Sequence, residues 1–294
     1  MRMRSEINSF LAHLRLHYQF LILSGAFLSG AVFSGGAGGG AFVLQFLNVH
    51  ILLFGGVTVY NSYWDKDTGA IGGMRHPPTL ASWTLPASWI LQAIGLVLAA
   101  LVSPVSAAVY AAAMFLFWCY SRPGIRWKGR PLLGLLAIGV GTGVCGFLLG
   151  YLHRGGNHVA AGSVAGSLGV ACLIVSLFPM SQVYQVEEDL ERRDMTFTAR
   201  YGLGGVRRAY ALLFPSGVLL LAGAMSRIAP ILGWAFLILG SAAGLGVWRV
   251  IRNLRLSPEE YGRVMAVKYV ASGLFAAFLA AILGLQARGF FRGI

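Results

Sequence analysis

The stretch Gly40-AFVLQFLNVHILLFGGVTVYNSYWDK-Asp67 runs apolar from Gly40 to Tyr60 and then turns abruptly into Asn, Asp, Lys and Asp. A bilayer core takes a helix of about 17 to 25 apolar residues. The stretch therefore reads as a membrane-spanning helix with its polar end at the membrane surface. Working outward, similar runs fill the chain: approximately Tyr18 to Phe33, Trp83 to Val102, Val105 to Cys119, Leu132 to Leu152, Val159 to Tyr184, Val206 to Met225, Ile228 to Val250 and Val264 to Leu285. With Gly40 to Tyr60 they make nine. The third and fourth runs, and the seventh and eighth, are expected to be tight hairpins broken near Ser103-Pro104 and Ser226 to Pro230. The fold class expected is all-α: a polytopic bundle of nine transmembrane helices in a single domain over residues 1–294.

Composition agrees. Of the 294 residues, 57% are hydrophobic and only 11% charged, against roughly 25% charged in a soluble domain. Forty glycines without a three-residue period exclude collagen and suit helices packed closely in lipid. Cys119, Cys145 and Cys172 are too scattered for a disulfide framework, and none stands at metal-ligand spacing from a His. Arg2, Arg4 and Arg15 lead into the first apolar run without a convincing cleavage site, so that helix is expected to be retained.

A net charge of +13 in a soluble protein would suggest nucleic acid, but here the basic residues sit in the gaps between apolar runs. Threading nine spans places 19 of the 23 Lys and Arg on the side of the N-terminus. By the positive-inside rule that side is the cytoplasm. The expectation is an integral membrane protein, in a prokaryotic cytoplasmic membrane, contacting membrane lipid and no nucleic acid.

Acids are scarce and gathered. Of ten, seven fall in two windows: Asp65 and Asp67 in NSYWDKD, and Glu187, Glu188, Asp189, Glu191 and Asp194 in YQVEEDLERRD. Both follow even-numbered helices and so share a face, which suggests two four-helix halves of the same sense plus a ninth helix. On continuing helices Asn61 and Asp65 would share a side, as would Gln185, Glu188 and Asp189. Carboxylates at a helix C-terminus oppose its dipole by about 0.3 to 1 kcal/mol each. A bound cation is therefore expected, and oxygen donors without His or Cys suit Mg²⁺. Any one of these acids alone would read as a solvated loop charge; two matching clusters in an acid-poor chain favour a site.

The sequence resembles the UbiA superfamily of intramembrane prenyltransferases. That family carries N-D-x-x-D-x-x-x-D after its second helix, seen here as Asn61-Ser-Tyr-Trp-Asp65-Lys-Asp67-Thr-Gly69, and D-x-x-x-D after its sixth, here Gln185-Val-Glu-Glu188-Asp189. Tyr120-Ser-Arg-Pro-Gly-Ile-Arg126-Trp-Lys128 is similar to its Y-[ST]-x-P-x-x-x-K segment, and Thr196 to Gly202 to its T-x-A-x-x-x-G ending. Three positions depart: Ser62, Gly69 and Gln185 replace Asp. Asp67, Glu187 and Glu188 stand near enough in sequence to supply replacement carboxylates.

The resemblance implies ionisation of an allylic prenyl diphosphate and capture of the carbocation by a lipophilic, for example aromatic, acceptor. It implies Mg²⁺ held by Asn61, Asp65, Asp67, Gln185, Glu188 and Asp189, and a diphosphate contacted by these and by Lys128, Arg122, Arg126 and Arg75. Asp65, Asp189, Lys128 and Tyr184 are the expected catalytic residues. Motif loops 61–82, 120–131 and 184–205 would form the cytoplasmic site, with the loop bearing Arg75 and His76 closing over it. Arg130 reads equally as a positive-inside anchor, and Arg192 as an ion-pair partner of the acids. Tyr63, Trp64, Trp118, Tyr120 and Tyr184 sit where both cation stabilisation and an interfacial aromatic belt would place them. Gln45, Asn48 and His50, inside the second helix, are expected to hydrogen-bond between helices. A terpene cyclase of the same superfamily is the alternative. A transporter is less favoured, because the acids lie at helix ends and not at the bilayer midplane.

Overall fold

The computed structural model describes residues 2–156 and 158–291. Among them nine helices are long and apolar enough to cross a membrane: α1 (Arg2–Phe33), α2 (Gly39–Asp65), α3 (Thr84–Val102), α4 (Pro104–Ser121), α5 (Pro131–Arg154), α6 (Ala161–Gln182), α7 (Phe197–Ser226), α8 (Pro230–Ile251) and α9 (Pro258–Ala287). The two expected hairpins are present, each set by local chemistry. Ser103 caps α4 by accepting from the Ser106 N–H at 3.1 Å, and Pro104 and Pro230 occupy first-turn positions that need no N–H donor.

The structure departs from the sequence reading in two places. The first helix begins at Arg2 and not near Tyr18, its segment Arg2–His13 set off from the rest of α1 by Arg15 at φ 49°. One face of this segment is fastened to the loop after α2, with Ser9 Oγ donating to Thr79 O at 2.6 Å. As expected, helix α2 continues past Tyr60 through Asp65, so the first motif rides on a helical end. The second motif does not. Helix α6 stops at Gln182, and Gln185 precedes a separate short helix, Val186–Glu191.

Close helix contact comes from glycine. A Cβ on Gly30 of α1 would overlap the carbonyl oxygen of Phe147, and one on Gly150 of α5 would overlap that of Phe27. The first helices of the two halves therefore touch backbone to backbone, which glycine alone permits. Wide π-type turns interrupt three helices, at Gln19–Leu23, Asn48–Gly55 and Gly139–Val144. Such turns displace the helix wall and recur at functional sites. Here Ile22, Leu23, Phe54 and Thr142 from these turns all line one cavity. Deeper in α2, Gln45 Nε2 donates to Leu98 O at 3.2 Å and Asn48 Nδ2 to Gly95 O at 3.0 Å, both on α3, and His50 Nε2 lies 3.2 Å from Ser24 Oγ of α1. These polar groups hold helices together, as expected.

Gly150→Ala or Gly30→Ala is expected to destabilise the protein by about 1 to 3 kcal/mol, measured as a lower unfolding midpoint in detergent. Gly223→Ala, where nothing lies within 4 Å of the added Cβ, should leave the midpoint unchanged or raise it.

Candidate active site

Lys66, at φ 49°, ends α2 and turns the chain away, leaving Asn61 and Asp65 on the last turn. Asn61 Oδ1 accepts from Ser121 Oγ at 2.7 Å, which joins the ends of α2 and α4. Asp65 is only 6% exposed. Burying a carboxylate is costly without a cation, and Lys128 provides one, its Nζ 2.6 Å from Asp65 Oδ1. Arg126 stands 3.4 Å from the same oxygen and makes a two-pronged contact with Asp194, Nε to Oδ1 at 2.6 Å and Nη2 to Oδ2 at 2.7 Å. Lys128 also reaches Asp194 Oδ2 at 3.3 Å. Two cations from the loop after α4 thus bridge an acid from each acidic window.

A second tie is more direct. Glu188 Oε1 accepts from the Thr68 N–H at 2.8 Å and the Thr68 hydroxyl at 3.2 Å, spanning 120 residues. Arg192 pairs with Asp67, donates to Glu188 Oε1 at 2.6 Å and to Lys66 O at 3.1 Å. A Cβ on Gly69 would sit 2.8 Å from Glu188 Oε2. A carboxylate from the second motif thus packs against Gly69.

The second window does not oppose a helix dipole, contrary to expectation. Because the short helix begins after Gln185, Glu187, Glu188 and Asp189 occupy its first turn, where the dipole favours anions. Gln185 and Asp189 still share one side, since the Asp189 N–H donates to Gln185 O at 2.8 Å. Asp189 is buried and accepts from Thr196 Oγ1 at 3.0 Å. Burial pushes its carboxyl up to about 7; Asp194 and Asp65 add to this, while Lys128 and the Thr196 hydroxyl oppose it. Such a carboxyl favours a nearby cation. Thr198 and Gln182 fix the turn, the Thr198 N–H donating to Gln182 Oε1 at 3.0 Å.

These ties enclose a cavity of about 240 Å³. Its polar end is lined by Asn61, Asp65, Asp67, Gln185, Asp189 and Lys128; its walls include Leu23, Phe54, Val57, Phe117, Ile174 and Leu177. Tyr120 and Tyr184 also line it, and Ile71 and Gly72 bring the loop after α2 to its edge. Among the remaining expected residues, Glu188 turns to the Thr68 loop. Arg126 stands behind Lys128, Arg122 is exposed, and Arg75 lies over the Tyr261 ring at 5.5 Å. Tyr63 and Trp64 are outside the lining, and Trp118 Nε1 donates to Gln92 Oε1 at 3.0 Å. Arg192 is an ion-pair partner, as its plainer reading had it.

Sequence reading missed Arg15, Tyr18 and Lys268, which line the same cavity. Lys268 did carry a signal: a lone charge inside an apolar run is a functional candidate by default. Arg15 carried none, since it reads as one more interfacial arginine.

The sequence profile described as the UbiA prenyltransferase family matches residues 20–279. The chain belongs to the UbiA prenyltransferase family. It is an integral membrane prenyltransferase. Among solved structures it is similar to a UbiA homologue from Archaeoglobus fulgidus bound to GPP and Mg²⁺, with TM-score 0.72 and 17% identity, covering 94% of this chain and 99% of that one. A UbiA homologue from Aeropyrum pernix K1 gives TM-score 0.61 and 16% identity over 89% and 97% of the two chains. A digeranylgeranylglyceryl phosphate synthase gives 0.64 and 18% over 96% and 100%. No curated protein sequence matches. With the family in hand, two of the three motif departures have local partners. Ser62 accepts from Arg15 Nη2 at 2.6 Å, and Gly69 leaves room for Glu188.

Asp194→Asn, which leaves Arg126 and Lys128 with one carboxylate fewer, is expected to cost about 3 kcal/mol of stability, read from unfolding in detergent. Asp194→Glu should recover part of the loss. An unchanged midpoint in Asp194→Asn would contradict a structural role for this network.

Proposed function

We propose that this UbiA-family enzyme transfers a prenyl group from an allylic prenyl diphosphate to a lipophilic acceptor, at the cytoplasmic face of a prokaryotic membrane and with Mg²⁺ as cofactor. One observation carries the proposal: Asp65 and Asp67 of the first motif and Asp189 of the second meet at the polar end of a cavity with apolar walls. The related archaeal structures bound to DMAPP or GPP with Mg²⁺ support it.

The donor set fits the metal. Asn61, Asp65, Asp67, Gln185 and Asp189 offer oxygen atoms only. Among the described residues no three His, Cys, Asp or Glu side chains form a free-standing metal cluster. Mg²⁺ suits such a place, because it takes one or two carboxylates and completes its shell with water and substrate phosphate. When bound it supplies Lewis-acid neutralisation of the leaving diphosphate.

The chain's own residues do the rest. The Lys128 ammonium, held between Asp65 and Asp194, is placed to donate to phosphate oxygens as the C–O bond breaks. Arg126 positions Lys128 through Asp194. The exposed Arg122 and Arg75 raise the local potential that attracts an anionic headgroup. Glu188 fixes the first motif against the second through the Thr68 backbone and through Arg192, which also grips Asp67. The rings of Tyr120 and Tyr184 offer π faces to an allylic cation, each contributing about 0.5 to 2 kcal/mol. The apolar walls house the isoprenoid tail and exclude water from the cation.

Purified protein incubated with Mg²⁺ and prenyl diphosphates of several lengths, with and without lipophilic acceptors, tests this through diphosphate release. Acceptor-dependent release is the expected result. Acceptor-independent release with a cyclic product would replace transfer by cyclisation, and no release would overturn both. Asp65→Asn and Asp189→Asn should each lower turnover by about a hundredfold or more with helical content intact. Full activity in both variants would contradict the site assignment.

A further inference from the structure

A second recess lies between α7 and α8, away from the catalytic cavity, with which it shares no lining residue. It is an apolar groove of about 390 Å³ on the outside of the bundle, and Leu219 and Leu245 in its lining are each 63% exposed. Three rings pave it. Tyr210 stacks on Phe214 with centroids 4.9 Å apart and on Trp248 at 6.1 Å, and its hydroxyl donates to Gly244 O at 2.8 Å. A Cβ on Gly244 would come within 2.4 Å of Phe214, so the paving lies close against the α8 backbone.

Toward the face that carries the motif loops, the groove ends in arginines. On α7 the three- and four-residue spacing of Phe214, Ala211 and Tyr210 continues to Arg207 and Arg208. On α8 the same spacing leads from Leu245 and Trp248 to Arg249 and Arg252. Arg207 Nη2 donates to Arg252 O at 2.8 Å, which joins the two helix ends, and Arg207 Nε is buried without a hydrogen-bond partner. Among the described residues none of the four has a carboxylate within 4 Å. The helix dipole accounts for cations at the C-terminal end of α8. It does not account for Arg207 and Arg208, which follow the break at Gly202 and stand nearer the positive end of α7.

We propose that this groove binds an anionic phospholipid, one acyl chain lying along Tyr210, Phe214 and Trp248 and the headgroup phosphate on Arg207 and Arg252. A zwitterionic lipid offers the same chain but brings its own ammonium among the arginines. A second copy of the chain, seated here about a two-fold axis along the bilayer normal, would bring four more arginines to the same level, and like charges so placed repel. The lipid site stands whether or not the catalytic cavity transfers prenyl groups.

The test uses the full chain in phosphatidylcholine vesicles doped with either phosphatidylglycerol or phosphatidylcholine carrying brominated acyl chains. Trp248 on the groove wall is the reporter, its share of the fluorescence taken as the difference between each protein and its Trp248→Phe counterpart. Brominated phosphatidylglycerol should quench that share at a mole fraction about tenfold lower than brominated phosphatidylcholine, the size expected of two arginines at an anionic headgroup. The paired variant Arg207→Gln/Arg252→Gln should lose the preference. Arg2→Gln/Arg4→Gln, which removes the same charge elsewhere in the chain, should keep it. Unfolding midpoints show which variants fold, and if the paired one does not, Arg252→Gln alone should lower the preference by about threefold or more. Equal quenching by both lipids in the wild type overturns the proposal, as does a preference that survives loss of the groove arginines. A preference lost equally in Arg2→Gln/Arg4→Gln overturns it too, because overall positive charge would then suffice. A Trp248 shielded from both lipids, in a protein that light scattering shows to be dimeric, gives the groove to a second copy instead.

Discussion

The contact on which the architecture turns is the Glu188 carboxylate, accepting from the Thr68 N–H at 2.8 Å while Arg192 holds Glu188 from behind and grips Asp67. It joins two loops that belong to different halves of the bundle. The Arg126 and Lys128 bridge between Asp65 and Asp194 makes the same connection a second time. Without such ties the buried acids would repel one another and pay for desolvation with nothing in return. With them, oxygen donors from both halves face one cavity.

The bilayer explains why the polar work is confined to one end. Within lipid each backbone group must be satisfied in its own helix, so irregular chain is possible only at the helix ends and where π-type turns line a cavity. Those turns in α1, α2 and α5 shape the apolar wall, while the loops after α2, α4 and α6 shape its polar end. Gly30 and Gly150 bring α1 and α5 into backbone contact, so the two halves meet at a fixed distance beneath the motif loops.

Much of this was legible in the sequence. Apolar run length gave nine spans because lipid enforces one simple rule, and the gathering of acids gave the polar end because carboxylates are so scarce in the chain. The break between Gln182 and Val186 was not legible, since the apolar run continues through Val183 and Tyr184 while Pro179 redirects the backbone. Nor was the tie from Glu188 to the first motif, which runs to the Thr68 and Gly69 N–H groups and the Thr68 hydroxyl across the bundle. Arg15 and Lys268 reach the cavity through tertiary packing alone, although a charge inside the ninth run was there to be noticed.

The central claim is that acids of both motifs hold one divalent cation against a pyrophosphate. Electron–nuclear spectroscopy of Mn²⁺, substituted for Mg²⁺ in the purified protein with a non-hydrolysable prenyl diphosphate analogue, addresses it most directly. The account predicts a bound ion coupled to ³¹P whose signal disappears in Asp65→Asn and in Asp189→Asn alike. A bound ion that shows no phosphorus coupling, or one that survives intact when either motif is neutralised, would contradict it.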